Sequence, residues 1–156
     1  MWDHFKEKIS IRNNYRKVNE YISVQRYESE SKIIIYVKNE PLITIPSQRF
    51  PSLEYILRGI NENLVRHKNP LKNNKTEKLF EKLLLSLENW SKNDYDIHLL
   101  HYEIAFPLLK KLKEIGSTKF QIIFQQEILK MYSIDSSEIK DYLRQEGYLN
   151  LIGDFF

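Results

Sequence analysis

The residues with the clearest chemical potential are two histidines in the second half of the chain. His98 and His101 are three positions apart, and Asp94 and Asp96 come just before them. On one helix this spacing could bring two imidazoles to one metal ion, with carboxylates completing the ligand set. It differs from the i, i+4 pair of the common helical zinc motif. Because two leucines lie between the histidines, we favour a packing role for them and predict that the protein binds no metal.

Other kinds of catalytic and cofactor chemistry lack their usual sequence signals. The chain has no cysteine, which excludes disulfides, thiolate nucleophiles and cysteine-ligated zinc. It has only four glycines, and no Gly-x-Gly-x-x-Gly, P-loop or Gly-x-Ser-x-Gly motif. We therefore predict a non-enzymatic protein without a cofactor. An enzyme whose site is assembled from residues far apart in the sequence remains a weaker alternative.

The basic residues are concentrated in the first half of the chain. Residues 1–78 contain 15 Lys and Arg against 9 Asp and Glu, whereas residues 79–156 contain 9 against 12. This asymmetry could steer an acidic partner to the N-terminal half. One basic group lies in a predicted exposed loop: Arg66, His67, Lys68, Lys72 and Lys75. Tyrosines on the side of the predicted sheet could add stacking rings, so a nucleic-acid-associated protein is the second hypothesis: Tyr15, Tyr21, Tyr27 and Tyr36.

The C-terminal segment 148–156 is apolar for a chain end, which is typical of a docked tail or of a contact with another chain. Its candidate contact residues are Tyr148, Leu151, Phe155 and Phe156. The edge of the predicted sheet could also accept a strand from a partner. The first hypothesis is therefore a non-catalytic, adaptor-like protein-interaction module, with its oligomeric state left open.

The elements that must position these residues begin with a small sheet at 19–46. Residues 21–27 alternate apolar and polar side chains, and residues 32–37 are β-branched and aromatic. A third strand at 42–45 lies between Pro41 and Pro46, and turn residues separate the three runs. The pattern predicts a three-stranded antiparallel meander that packs on helices.

Helical periodicity follows the predicted meander. Apolar stripes predict helices at 52–65, 76–92, 96–115, 117–132 and 136–147. Pro107 allows either one kinked helix or a short helix followed by a second one. Thr76 is the predicted N-cap of the second helix, Gly116 ends the third, and Asp135 with Glu138 forms a capping box. Short connections favour antiparallel neighbours.

The predicted fold class is α+β and mainly helical, with the meander packed on a bundle or a short α-solenoid-like stack of about five helices. A length of 156 residues fits a single domain, 1–156, with sub-regions 19–46, 52–65 and 76–156. No apolar run is long enough to span a bilayer, and the first residues lack the apolar core of a secretory signal. We expect no membrane association and a cytoplasmic location.

One part of the chain resembles a known family. The run from Leu87 to Leu112, with its Trp90 and Pro107, carries the resemblance together with residues 126–128 and 142–149. It resembles a helical region that accompanies archaeal leucine-rich-repeat proteins, where a small β segment occurs beside it. This chain lacks the repeats themselves. The resemblance covers about residues 18–152 and implies an adaptor-like protein without a named ligand or a catalytic site.

Overall fold

The computed structural model describes residues 14–57 and 75–151, and the chain divides after Asn93 into two compact units. The described residues form four β-strands and five α-helices, which confirms the predicted α+β class. The strands and the first two helices belong to the N-terminal unit, and the other three helices belong to the C-terminal unit. The single domain, and the arrangement of the helices as a bundle or stack, stay predictions.

The sheet is antiparallel, and its strands follow one another in chain order. The strands are β1 (Tyr15–Lys17), β2 (Ile22–Tyr27), β3 (Lys32–Val37) and β4 (Glu40–Pro46). The prediction of three strands was wrong, because β1 precedes the predicted meander. β1 has three residues, two of them basic, and so short a run shows no alternation from which a strand could be read.

One face of the sheet is apolar because directly opposed residues of neighbouring strands share a face. Ile22 opposes Val37, and Val24 opposes Ile35. These side chains are fully buried, together with Ile33 of β3. We call this the core face. Ile45 of β4 opposes Ile33 and extends it.

Two helices follow the sheet in the N-terminal unit. Helix α1 spans Phe50–Ile56 and buries Phe50 and Leu53, with a proline in its first turn. Helix α2 spans Lys75–Lys92 and buries Leu79, Phe80, Leu83, Leu84, Leu87 and Trp90. Since α2 begins at Lys75, Thr76 lies inside the helix and is not its N-cap. The rest of the predicted 52–65 helix, from residue 58 onward, lies outside the described residues.

Helix α2 lies against the core face of the sheet. The Arg26 guanidinium of β2 lies 5.8 Å from the centre of the Phe80 ring. Arg16 of β1, which shares this face, forms an ion pair with Glu81 at 3.6 Å. The sheet therefore has one face on a helix and a second, opposite face that we call the outer face.

The C-terminal unit contains helices α3 (Tyr102–Glu114), α4 (Thr118–Tyr132) and α5 (Ser137–Gln145). A 3-10 turn, Ile97–Leu99, precedes α3. Pro107 therefore lies inside one helix that begins at Tyr102, and a separate short turn comes before it. Neither alternative is met in full: a short turn precedes the helix, as in the second, but Pro107 is the sixth residue of α3 and does not lie in its first turn.

The ends of these helices test the predicted caps. Gly116 follows α3 with a φ of 97°, a left-handed conformation that suits glycine, so the predicted end of that helix is confirmed. The predicted capping box at α5 was wrong by one residue. Ser136, not Asp135, is the N-cap, and its hydroxyl accepts a hydrogen bond from the Ile139 N–H at 3.4 Å. Either residue type can cap a helix, so composition alone did not separate them.

None of the helices within 14–57 and 75–151 combines the length and the apolar character that a bilayer crossing requires.

Candidate functional site

The outer face of the sheet collects tyrosines and lysines. In one cross-strand row Tyr15 opposes Gln25, and in the next Lys17 opposes Ser23. Ser23 in turn opposes Tyr36, and Tyr27 opposes Lys32. The remaining outward positions of these rows are Ile34, Pro41, Thr44 and Pro46.

No acidic residue occupies an outward position in these rows, although acids are common in the turns between the strands. Lys17 is exposed. The Lys32 ammonium lies 5.3 Å from the centre of the Tyr27 ring and also forms an ion pair with Glu30 of the adjoining turn. Tyr15, Tyr27 and Tyr36 are partly exposed. Rings with cationic groups between them form the kind of surface on which the bases and phosphates of a single strand bind.

A hydrogen bond between hydroxyls joins Tyr27 and Tyr36 across the outer face. Burial, followed by this hydrogen bond, raises the pKa of Tyr36 to about 12. The row that contains Ile34 lies between the rows of the two tyrosines, and Ile34 is only 8% exposed. The two rings are therefore held in fixed positions on the sheet, and the raised pKa keeps the Tyr36 hydroxyl protonated at neutral pH.

A polar pocket of about 210 Å³ lies where two turns meet at one end of the outer face. The turn between β1 and β2 supplies Asn19, Glu20 and Tyr21, and the turn between β3 and β4 supplies Lys38 and Asn39. Tyr15, Lys17, Ile22 and Ser23 complete the lining.

Hydrogen bonds donated by backbone N–H groups fix both walls of this pocket. Asn19 Oδ1 accepts hydrogen bonds from the Tyr21 and Ile22 N–H groups at 2.8 and 2.9 Å. The Lys38 N–H donates to the Tyr21 carbonyl at 2.8 Å, which joins the two turns. Lys38 and Asn39 both have positive φ, as a tight two-residue hairpin turn requires. The Lys38 ammonium then lies 4.8 Å from the centre of the Tyr21 ring.

The predicted basic loop falls almost entirely outside the described residues. Arg66, His67, Lys68 and Lys72 lie in the undescribed range 58–74, and Lys75 is the first residue of α2. The role of these residues as a contact surface stays a prediction.

The predicted C-terminal contact segment divides into a buried part and an exposed part. Tyr148 is 4% exposed and packs against the rings of Phe106 and Phe124 at centroid distances of 5.6 and 6.0 Å. Its ring therefore belongs to the packing of the C-terminal unit and is not open to a partner. Leu151 is 39% exposed, and Phe155 and Phe156 lie outside the described residues.

The two histidines that suggested a metal site have separate roles. His98 is exposed, and its Nδ1 lies 2.8 Å from Asp96 Oδ1. Hydrogen bonds from the His98 backbone and ring hold the pKa of Asp96 below its usual value. His101 is the N-cap of α3, where its Nδ1 accepts the Glu103 N–H at 3.3 Å. Within the described ranges no three potential ligands come together as a metal site.

The cap formed by His101 predicts a pH-dependent stability. Burial lowers the pKa of His101, and the charges of Glu103 and Glu138 oppose this only in part. The neutral ring is therefore favoured in the folded state, and its stabilisation is present above the unfolded pKa of about 6.5 and is lost as pH falls through the lower folded value. We expect H101N, whose amide oxygen can accept the same N–H, to lose less stability than the wild type between about pH 7 and pH 5. Thermal melts of both proteins at matched pH values measure this difference, and equal losses would contradict the cap.

Two buried charged residues were missed in the sequence analysis. Arg26 is 7% exposed on the core face of β2, and Glu127 is 2% exposed in α4. Each lies at a position of its element's apolar periodicity, Arg26 two residues after Val24 and Glu127 three residues after Phe124. A charge at such a position was a usable signal of a buried, hydrogen-bonded group.

No protein-family model, curated protein or solved structure matches the chain. The resemblance to the region that accompanies archaeal leucine-rich-repeat proteins therefore stays a prediction.

Proposed function

We propose that this protein is a non-catalytic binding module, and that the outer face of its sheet binds single-stranded nucleic acid. The observation that carries this proposal is the set of outward rows that hold three partly exposed tyrosines and two lysines but no acid. Stacking on an aromatic ring contributes about 1–3 kcal/mol per base and is available to every base. We also propose that the helices of the C-terminal unit pack as a bundle or a short stack.

The charge of the N-terminal unit supports this choice. Residues 1–93 contain 17 Lys and Arg against 11 Asp and Glu, a net charge of +6, whereas residues 94–156 have 7 against 10. The sheet region itself, residues 15–46, holds five Lys and Arg against four Asp and Glu, so most of this positive charge comes from other parts of the same unit. A moderate positive charge gives attraction to phosphates without sequence preference, and it predicts affinity that falls as salt rises.

An adaptor-like protein contact is the second candidate. It is favoured by the exposure of Leu151, which lies in the apolar segment 148–156. Two observations weaken it relative to nucleic acid: Tyr148 is buried, and β4 has prolines at Pro41 and Pro46 and a bulge beside Ile35 and Tyr36. Prolines and bulges shorten the row of free backbone groups that an added strand needs.

The test compares two double variants that remove the same charge from opposite faces of the N-terminal unit. K17Q/K32Q alters the outer face, and K78Q/K92Q alters α2, which lies on the core face. We expect K17Q/K32Q to weaken binding of a labelled single-stranded 12-mer at least tenfold, and the control less than threefold. The slope of log affinity against log salt should fall by about 1.4 for the outer-face variant. Fluorescence anisotropy across a salt series measures both quantities.

Three results would contradict the proposal. They are no saturable binding at about 50 mM salt, equal effects of the two double variants, and equal affinity for heparin, which has no bases to stack. The first result would favour the protein contact instead. Circular dichroism of each variant confirms that it is folded, so that a loss of binding reports on the surface.

A further inference from the structure

The geometry points to the pocket between the two turns as a site for one nucleotide of the bound strand, and hence for a free nucleoside monophosphate. This inference rests on the proposed function and names the ligand of one end of the same face. The pocket combines two cations with two aromatic rings: Lys17, Lys38, Tyr15 and Tyr21. A nucleotide is a ligand that needs both, because its phosphate is anionic and its base has a planar π-face.

The size of the pocket limits what it can hold. Its volume of about 210 Å³ is below the roughly 300–1,000 Å³ of pockets that enclose a complete drug-sized ligand. It therefore suits one fragment of a longer molecule, with the rest lying along the outer face towards Tyr36. Lys17 and Ser23 oppose each other and share a row with Tyr36, so the pocket opens directly onto that face.

Both cations line the same pocket, and the structure fixes the position of one of them, Lys38. Lys17 projects from β1 on the outer face, and Lys38 stands at the tip of the β3–β4 hairpin, which is fixed by its positive φ values and by the bond to the Tyr21 carbonyl. Lys38 already lies over the Tyr21 ring, which fixes the direction of its stem. Because the Lys38 side chain is already ordered before the ligand binds, it loses less conformational entropy when it binds a phosphate.

Glu20 also lines the pocket, and its charge is unfavourable for a bare anion. A hydrogen bond with Glu20 raises the pKa of Tyr21, so this carboxylate is an acceptor in the wall of the site. A sugar hydroxyl or a base amino group is a donor that such an acceptor can bind. The lining therefore favours a complete nucleotide over inorganic phosphate.

The test uses titrations of the full chain with adenosine and uridine monophosphates, the corresponding nucleosides and inorganic phosphate, followed by amide chemical shifts. We expect the monophosphates to shift the Lys38 and Asn39 amides and to bind at least fivefold more tightly than the nucleosides or phosphate. K38Q should lose at least fivefold in monophosphate affinity. K32Q, which alters the opposite end of the outer face, should leave that affinity unchanged while weakening the 12-mer.

The outcomes separate this inference from the proposed function. Binding of the 12-mer without binding of any monophosphate would overturn the pocket and leave the function standing. Binding of monophosphates without binding of the 12-mer would support the pocket and overturn the function. Equal affinity for phosphate and for nucleotides, or an equal loss from K32Q and K38Q, would overturn the pocket as a nucleotide site.

Discussion

Truncation of Glu127 to alanine is expected to lower the free energy of unfolding by about 2–3 kcal/mol. Glu127 Oε1 accepts the Ile97 N–H at 3.2 Å, and Oε2 lies 3.0 Å from Lys130 Nζ. The first contact is buried, and its loss leaves a backbone donor without an acceptor, which costs about 1–3 kcal/mol. Loss of side-chain packing at a position that is 2% exposed adds to this.

The matched control for this change is E127Q. Glutamine keeps the size of the side chain and an oxygen for the Ile97 N–H, but it loses the charge that faces Lys130. Because the Lys130 side chain is half exposed, its ion pair contributes about 1 kcal/mol or less. Urea unfolding followed by circular dichroism should therefore place E127Q much closer to the wild type than E127A. If the two variants are equally unstable, the ion pair and not the Ile97 bond carries the stability.

The reason to expect a large effect lies in the segment before the 3-10 turn. Asp94 and Tyr95 both have positive φ, at 57° and 61°, a conformation that costs residues other than glycine energy. The buried Tyr95 ring packs edge-on against Phe120 at 5.3 Å, and the Glu127 bond holds the chain two residues later. These two contacts with α4 offset the backbone strain, so removing one of them weakens the whole segment.

The periodicity of apolar residues predicted those strands and helices in which the apolar pattern is long and regular. The strands at 21–27 and 32–37 and the helices at 76–92, 117–132 and 136–147 were predicted within two residues of their observed bounds, but the helix predicted at 96–115 begins six residues later, at Tyr102. The third strand was predicted two residues too short at its start, since β4 begins at Glu40, and the bulge beside Tyr36 is not visible in a sequence. Register, bulges and three-residue strands depend on pairing between distant segments, which local patterns do not encode.

The candidate site was partly visible in the sequence. Tyr15, Tyr21, Tyr27 and Tyr36 were named as possible stacking rings on the sheet side. Three of them lie on the outer face, whereas Tyr21 lies in the turn between β1 and β2. The pocket was not visible, since it needs the β1–β2 and β3–β4 turns to meet at one end of the sheet. The role proposed for Lys38 depends on the contact between these two turns. Its neighbours in the sequence, Val37 and Asn39, do not indicate that contact.

Substitution of Arg26 is the second change with a large expected effect on stability, and the size of the effect should depend on the residue that replaces it. R26A is expected to lower the free energy of unfolding by about 2–4 kcal/mol, because it leaves a cavity beside Phe80 on the core face. The guanidinium Nε and Nη2 donate to Asn14 Oδ1 at 3.0 and 2.8 Å, and Nη2 also donates to Glu28. Its buried Nη1 has no hydrogen-bond partner among the described residues. A buried charge with an unsatisfied donor contributes little net stability, so R26M, which keeps the length of the side chain, should lie within about 1 kcal/mol of the wild type.

R26M also tests whether the affinity for nucleic acid depends on the net charge of the unit or on the residues of the outer face. It removes one positive charge from the N-terminal unit, as K17Q does, but from the face that packs on α2. If the outer face carries the ligand, R26M should bind the single-stranded 12-mer with wild-type affinity and salt slope, whereas K17Q should weaken binding severalfold. Urea unfolding and anisotropy on the same preparations measure both properties. An equal loss of affinity in R26M and K17Q would mean that the strand responds to total charge alone, and the tyrosines of the outer face would then lose their part in recognition.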